Sequence, residues 1–196
     1  MKKTLLIAAT LALSLVVHTA KAQTDLLSLS SPPAFGTAVT PTFSSVIGSQ
    51  TAQGFVWNGS YGFGENVFGQ LDSSADWSSL IGAGTSFAVL MSASTNPDIG
   101  FSLELLDGGF NSIGTWSGDT TGVTGTPSYV TLAPDTAGFD YSSIGGFFFT
   151  WTGPGSESIN ATVSTIAVVP EPSTYALLAL SGLAFGGYII RRRRRA

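Results

Sequence analysis

At 196 residues, with 24 glycines, 43% hydrophobic and 10% charged residues, the chain has room for one ordinary domain plus addressing segments. Its cations are Lys2, Lys3, Lys21 and Arg191 through Arg195; its twelve carboxylates less Glu171 leave eleven between Gln23 and Val169, a formal charge of −11 with no cation. Such a segment cannot displace counterions from phosphates, which excludes nucleic-acid binding; the absence of cysteine and a single histidine at position 18 exclude thiolate nucleophiles, imidazole triads and the usual zinc ligand sets.

The chain begins with a positive Met1-Lys2-Lys3, followed by an apolar run from Leu5 to Val17 and then Ala20-Lys21-Ala22. Ala20 and Ala22 put small residues at the two positions that a leader-peptidase site needs, so residues 1–22 are expected to be a signal peptide cleaved after Ala22. The alternative, a retained anchor, has an apolar run too short to span a bilayer comfortably.

Residues 23–169 are expected to form one secreted all-β domain, because helix formers are scarce while Gly, Ser, Thr and aromatic residues abound. The run Phe55-Val56-Trp57 stops at Asn58-Gly59, a turn dipeptide. Phe87, Val89 and Met91 alternate with Ala88 and Leu90. Phe101, Leu103 and Leu105 alternate with Ser102 and Glu104 until Asp107-Gly108 turns the chain. Further strands are expected over 113–116, 129–132, 147–151 and 159–169, and the spacing suggests a two-sheet sandwich. No helix is expected in this region beyond one turn at Asp76–Leu80. Asp76-Trp77-Ser78-Ser79-Leu80 is echoed at Asp140-Tyr141-Ser142-Ser143-Ile144, a pattern that suits a repeated corner with the aromatic packed beneath.

From Val169 the composition changes. Pro170 and Pro172 cannot continue a strand ladder, Ser173 or Thr174 can cap a following helix, and Tyr175 stands where an interfacial aromatic belongs. Residues 173–190 are apolar and uncharged, about 27 Å of helix against a membrane core of roughly 30 Å. Arg191, Arg192, Arg193, Arg194 and Arg195 then fall on the cytoplasmic side, leaving residues 23–169 outside.

The ordered run Pro170-Glu171-Pro172-Ser173-Thr174, an aromatic, an apolar helix and an arginine cluster resembles the PEP-CTERM sorting domain. The resemblance spans residues 170–196, with Tyr175 where the family more often has Trp. It implies processing by exosortase, a membrane-embedded cysteine transpeptidase of exopolysaccharide-producing Gram-negative bacteria. That enzyme would read the segment near Pro170, Glu171 and Pro172 and remove the helix and the arginines. The membrane is thus a transient partner, and the product lies at the cell surface or outside the cell. An ordinary retained tail anchor is the alternative reading.

The strand order from about residue 53 to 169 loosely resembles galactose-binding-like jelly rolls, common in carbohydrate-binding modules. The matching pieces are Asp76–Leu80, Leu103–Asp107, Asp140–Gly146 and Ile159–Val169. The resemblance implies a jelly-roll-like sandwich. Ser164-Thr165-Ile166 stands where many such modules carry an aspartate, so it implies no ligand or calcium residues.

Three functions follow as expectations. The first is an exported surface or matrix protein without catalysis of its own. The second is a carbohydrate-binding module engaging exopolysaccharide, with Trp116, flanked by Gly114, Thr115, Ser117 and Gly118, as the sugar-stacking ring. The third is a glycan hydrolase, which needs two carboxylates facing each other across a bond. Asp72, Asp98, Asp107, Asp119 and Asp135 all stand in turn contexts, and Glu104 on a solvent-facing strand position. No cofactor is expected, although a structural Ca²⁺ would suit eleven carboxylates without cationic partners.

Overall fold

A strand with one wet face must alternate apolar and polar residues, and that alternation organises the computed structural model of the protein. The structure describes residues 23–60, 62, 64–81, 86–94, 99–134, 140–153 and 158–169, among which there are strands and turns but no α-helix. The expected signal peptide over 1–22, with Ala20 and Ala22, and the expected sorting segment over 170–196 lie outside the described residues.

In chain order the strands are β1 (Thr24–Ser28), β2 (Val39–Phe43), β3 (Gly48–Thr51), β4 (Gly54–Ser60), β5 (Asn66–Ala75), β6 (Ser86–Ala93), β7 (Gly100–Asp107), β8 (Ser112–Asp119), β9 (Ser128–Thr131), β10 (Ala133–Pro134), β11 (Ile144–Trp151) and β12 (Ser158–Val169). They form two six-stranded sheets. One runs β3-β4-β12-β6-β9, with β1 also paired to β12; the other runs β10-β8-β7-β11-β5-β2. Every pairing is antiparallel. The all-β, two-sheet expectation holds for these residues.

The sheets face each other through aromatic rings. Phe55 and Trp57 of β4 meet Phe147 and Phe149 of β11 at 6.1 and 5.6 Å, and Phe87 of β6 meets Trp116 of β8 at 4.6 Å. Trp57 also stands edge-on to Trp151 at 5.5 Å. The core built on these rings runs from Leu26 to Val168, so Thr24–Val169 is a compact unit with its own closed interior.

Two glycines are imposed by this packing. Gly54 opens β4 at φ 129°, and a Cβ there would stand 2.3 Å from the Val163 carbonyl oxygen of the adjacent strand. Gly69 lies opposite Phe147 in the β5–β11 pairing, and its missing side chain is the space the Phe147 ring fills.

β12 is the keystone of its sheet. It pairs with β4 through residues 158–163, with β6 through 161–169 and with β1 through 165–168. The pair Thr24–Val168 sets the first residue of β1 beside the penultimate residue of β12. β1 is further held by the Tyr129 hydroxyl, which donates to the Asp25 carboxylate at 2.5 Å. To do so it reaches from β9 past β6 and β12, whose Ala88 and Ala167 are both fully buried.

Two turn expectations are corrected. Asn58-Gly59 is not a turn: both residues belong to β4 and pair with Asn160 and Ile159 of β12. Asp72 lies in β5, exposed and paired with no turn of its own, and its backbone N–H donates to the Ala38 carbonyl. Asp98 and Asp135 lie outside the described residues.

Candidate functional site

The Asp-aromatic-Ser-Ser echo forms two corners set side by side, joined by the Trp77 N–H donating to the Tyr141 carbonyl at 2.9 Å. The Asp76 carboxylate accepts from the Ser78 hydroxyl and amide at 2.7 and 2.9 Å, and the Asp140 carboxylate accepts from the Ser142 amide at 2.9 Å. The rings of Trp77 and Tyr141 turn inward to Phe87, at 6.5 and 6.2 Å. The serine partners hold both carboxyls below the usual carboxylate range, although the like charge of Asp76 pushes Asp140 slightly the other way.

The other described aspartates of turns do the same work. Asp107 accepts from the backbone N–H groups of Gly109 and Asn111, both at 2.8 Å, and from the Asn111 carboxamide. Asp119 accepts from the Thr121 amide at 2.8 Å. Bonds from Asn111 and from Thr121 push these two carboxyls down as well. Among the described residues no three His, Cys, Asp or Glu side chains gather as a metal site would require.

Trp116 is not where the sugar-stacking expectation needs it. It sits inside β8 with its ring in the sandwich interior, 1% exposed, edge-on to Phe87. The small neighbours Gly114, Ser117 and Gly118 that suggested a loop are strand residues. Trp57, Trp77 and Trp151 are buried too, so none of the four indoles offers a face to solvent.

The accessible rings are phenylalanines. On the outer face of the second sheet, Phe68 of β5 pairs with Phe148 of β11, and the rings lie 5.1 Å apart. Phe110, from the β7–β8 turn, stands edge-on to Phe68 at 5.6 Å and is 46% exposed. Glu104, half-buried, pairs with Phe148 on the other side. Sequence pattern gave no sign of this cluster. Phe148 is hidden in the run Phe147-Phe148-Phe149, and the three rings come from positions 42 and 38 residues apart in the chain.

Of the sorting residues, Pro170, Glu171, Pro172, Ser173, Thr174 and Arg191 through Arg195 lie outside the described residues. What is described is their attachment: β12 stays paired to its last residue, Val169 opposite Ser86, and Pro170 follows at once.

Among curated proteins no sequence matches this chain. A solved structure of an arabinose-bound α-L-arabinofuranosidase, MgGH51, is similar with a TM-score of 0.37 and 13% identity. That match covers 76% of this chain and 25% of the enzyme, and nothing of the enzyme's chemistry is carried over from it. A family model described as the PEP-CTERM protein-sorting motif matches residues 168–195. The chain therefore carries a PEP-CTERM sorting motif, whose match begins on the last two residues of the strand that completes its first sheet.

Proposed function

We propose that this is an exported cell-surface or extracellular-matrix protein, sorted by exosortase through its C-terminal signal and without catalytic activity of its own. The proposed layout is a signal peptide over 1–22, a secreted jelly-roll-like sandwich over 23–169, and a sorting signal over 170–196 with its helix at about 173–190. The observation that carries the reading is the motif at 168–195 immediately beyond a folded, cation-free domain. A chain segment of charge −11 has no attraction to an anionic membrane surface, so the terminal helix and its arginines supply the membrane attachment until processing.

The noncatalytic reading is supported by four of the eleven carboxylates. A general acid needs a carboxyl pKa raised toward neutrality. Asp76, Asp107, Asp119 and Asp140 are instead held down by hydrogen bonds that fix turns.

Mass spectrometry of the native protein tests the proposal. The expected mature chain begins at Gln23 and lacks Arg191 through Arg195, and deletion of the host's exosortase leaves the full C-terminus in place. Recovery of the native protein with its arginines intact in the presence of an active exosortase refutes sorting. Carbohydrate binding is the second reading, favoured by the outward phenylalanine cluster in place of Trp116.

A further inference from the structure

The outer face of a sheet meets water, and its side chains are ordinarily polar. Here one row crosses five strands in register: Thr115, Glu104, Phe148, Phe68 and Thr42. At strand spacings of 4.7–4.9 Å the row extends roughly 19 Å, long enough for several sugar rings end to end. Its centre is aromatic and its ends are hydroxyls. Gln70 lies in the next row, opposite Gly146, a buried position over which the Phe68 and Phe110 rings pack: a Cβ there would stand 3.2 and 3.6 Å from them. Beyond Gln70 the Asp72 carboxylate accepts from the Thr40 hydroxyl.

Phe110 is the telling residue. Its φ is 62°, the left-handed region, where it is the one non-glycine residue of the described chain. That conformation is unfavourable for an L-residue, and Gly108 and Gly109 stand just before it. The Asp107 carboxylate grips the N–H groups of Gly109 and Asn111 and fixes the turn, and the Phe110 ring lies against Phe68, still half exposed. A strained backbone that presents an apolar ring to water is a feature of ligand contacts.

Charge selects the occupant. Residues 23–169 carry eleven carboxylates and no Lys or Arg, so Glu104 beside Phe148 has no cation within that segment to meet. Aromatic faces attract cations through their quadrupole and also pack on the apolar faces of pyranose rings, while hydroxyls and carboxamides pair with sugar hydroxyls. We infer that the face formed by Phe68, Phe110, Phe148, Glu104 and Gln70 binds a polymer of protonated amino sugars. The inference deepens the carbohydrate-binding reading and is independent of sorting, because its test needs only the folded domain.

The experiment uses residues 23–169, whose core and both sheets are complete in themselves, and isothermal titration with hexaglucosamine, hexa-N-acetylglucosamine and hexalysine. Hexaglucosamine is expected to bind, more weakly as salt rises, and to bind more tightly than the other two. Phe110→Gly suits the left-handed turn and removes only the ring; it and the isosteric Glu104→Gln are expected to weaken binding about tenfold. Asp25→Asn, which removes one charge from the opposite sheet, is expected to leave it within about twofold. Equal losses in Glu104→Gln and Asp25→Asn would mean bulk charge attraction and overturn the site. So would full binding by Phe110→Gly, or equal or tighter binding of either comparison oligomer.

Discussion

Replacing Gly69 by alanine tests the packing of the two sheets. The added methyl would lie 2.4 and 2.5 Å from Cζ and Cε1 of Phe147, where ordinary contacts begin near 3.4 Å, so the ring must retreat by about an ångström. It has nowhere to go: Phe147 is fully buried and stacks on Phe55 of the facing sheet at 6.1 Å. Overpacking a full core costs about 1–3 kcal/mol, which outweighs the few tenths that alanine gains over glycine in a strand. Taking about 2 kcal/mol, the midpoint of thermal unfolding is expected to fall by roughly 4–8 °C. The four buried tryptophans report the transition by fluorescence. Phe147→Leu costs stability alone but removes the obstacle, so Gly69→Ala is expected to be nearly neutral in that background, a coupling of at least about 1 kcal/mol. If Gly69→Ala stabilises the wild type, or if the two changes are additive, the account of Gly69 as the socket of Phe147 is wrong.

Two pH dependences follow from the surface groups. Burial first, then the Asp25 hydrogen bond and charge, push the Tyr129 hydroxyl up to about 12, and burial pushes Tyr141 up to about 12 as well. Below pH 10 folded and unfolded chains both keep these protons, whereas between about pH 10 and 12 only the folded chain does, so stability is expected to fall across that window. Tyr129→Phe is expected to flatten part of that fall and to cost about 1 kcal/mol at neutral pH, measured by urea unfolding. At the acid end Asp76, Asp107, Asp119 and Asp140 titrate below their ordinary value of 3.8 in the folded chain. Their contribution is complete above that value and is lost as pH falls through their lower folded pKa values. Asp107→Asn keeps an acceptor for the turn amides without the titration, so its acid unfolding is expected to be less steep than that of the wild type.

Strands with branched or aromatic residues at alternate positions were readable directly, as β6, β7 and β12 illustrate. Others were obscured by physical causes that can be named. In β5 the inward positions are Val67, Gly69 and Leu71, and the glycine that Phe147 covers breaks the apolar alternation. β2 contains Pro41, which argues against a strand unless it lies at an edge, and β2 is the edge of its sheet. Asn58-Gly59 has strong turn chemistry, yet β4 is paired on both sides, to β3 and β12, and tertiary pairing prevails over a local signal. The C-terminal sorting motif was the most legible signal because it is contiguous and depends on charge and length. The phenylalanine face was the least legible, since its members meet only through the register of β5 with β11 and the fold of one turn.

The strand that completes the first sheet is also, among the described residues, the last to be made. Until residues 158–169 arrive, β1, β4 and β6 share no common neighbour, and the open edges they present are targets for proteolysis and for misplaced pairing. A polypeptide that ends before residue 158 lacks the shared partner of β1, β4 and β6, and is expected to be digested more readily than one that reaches Val169.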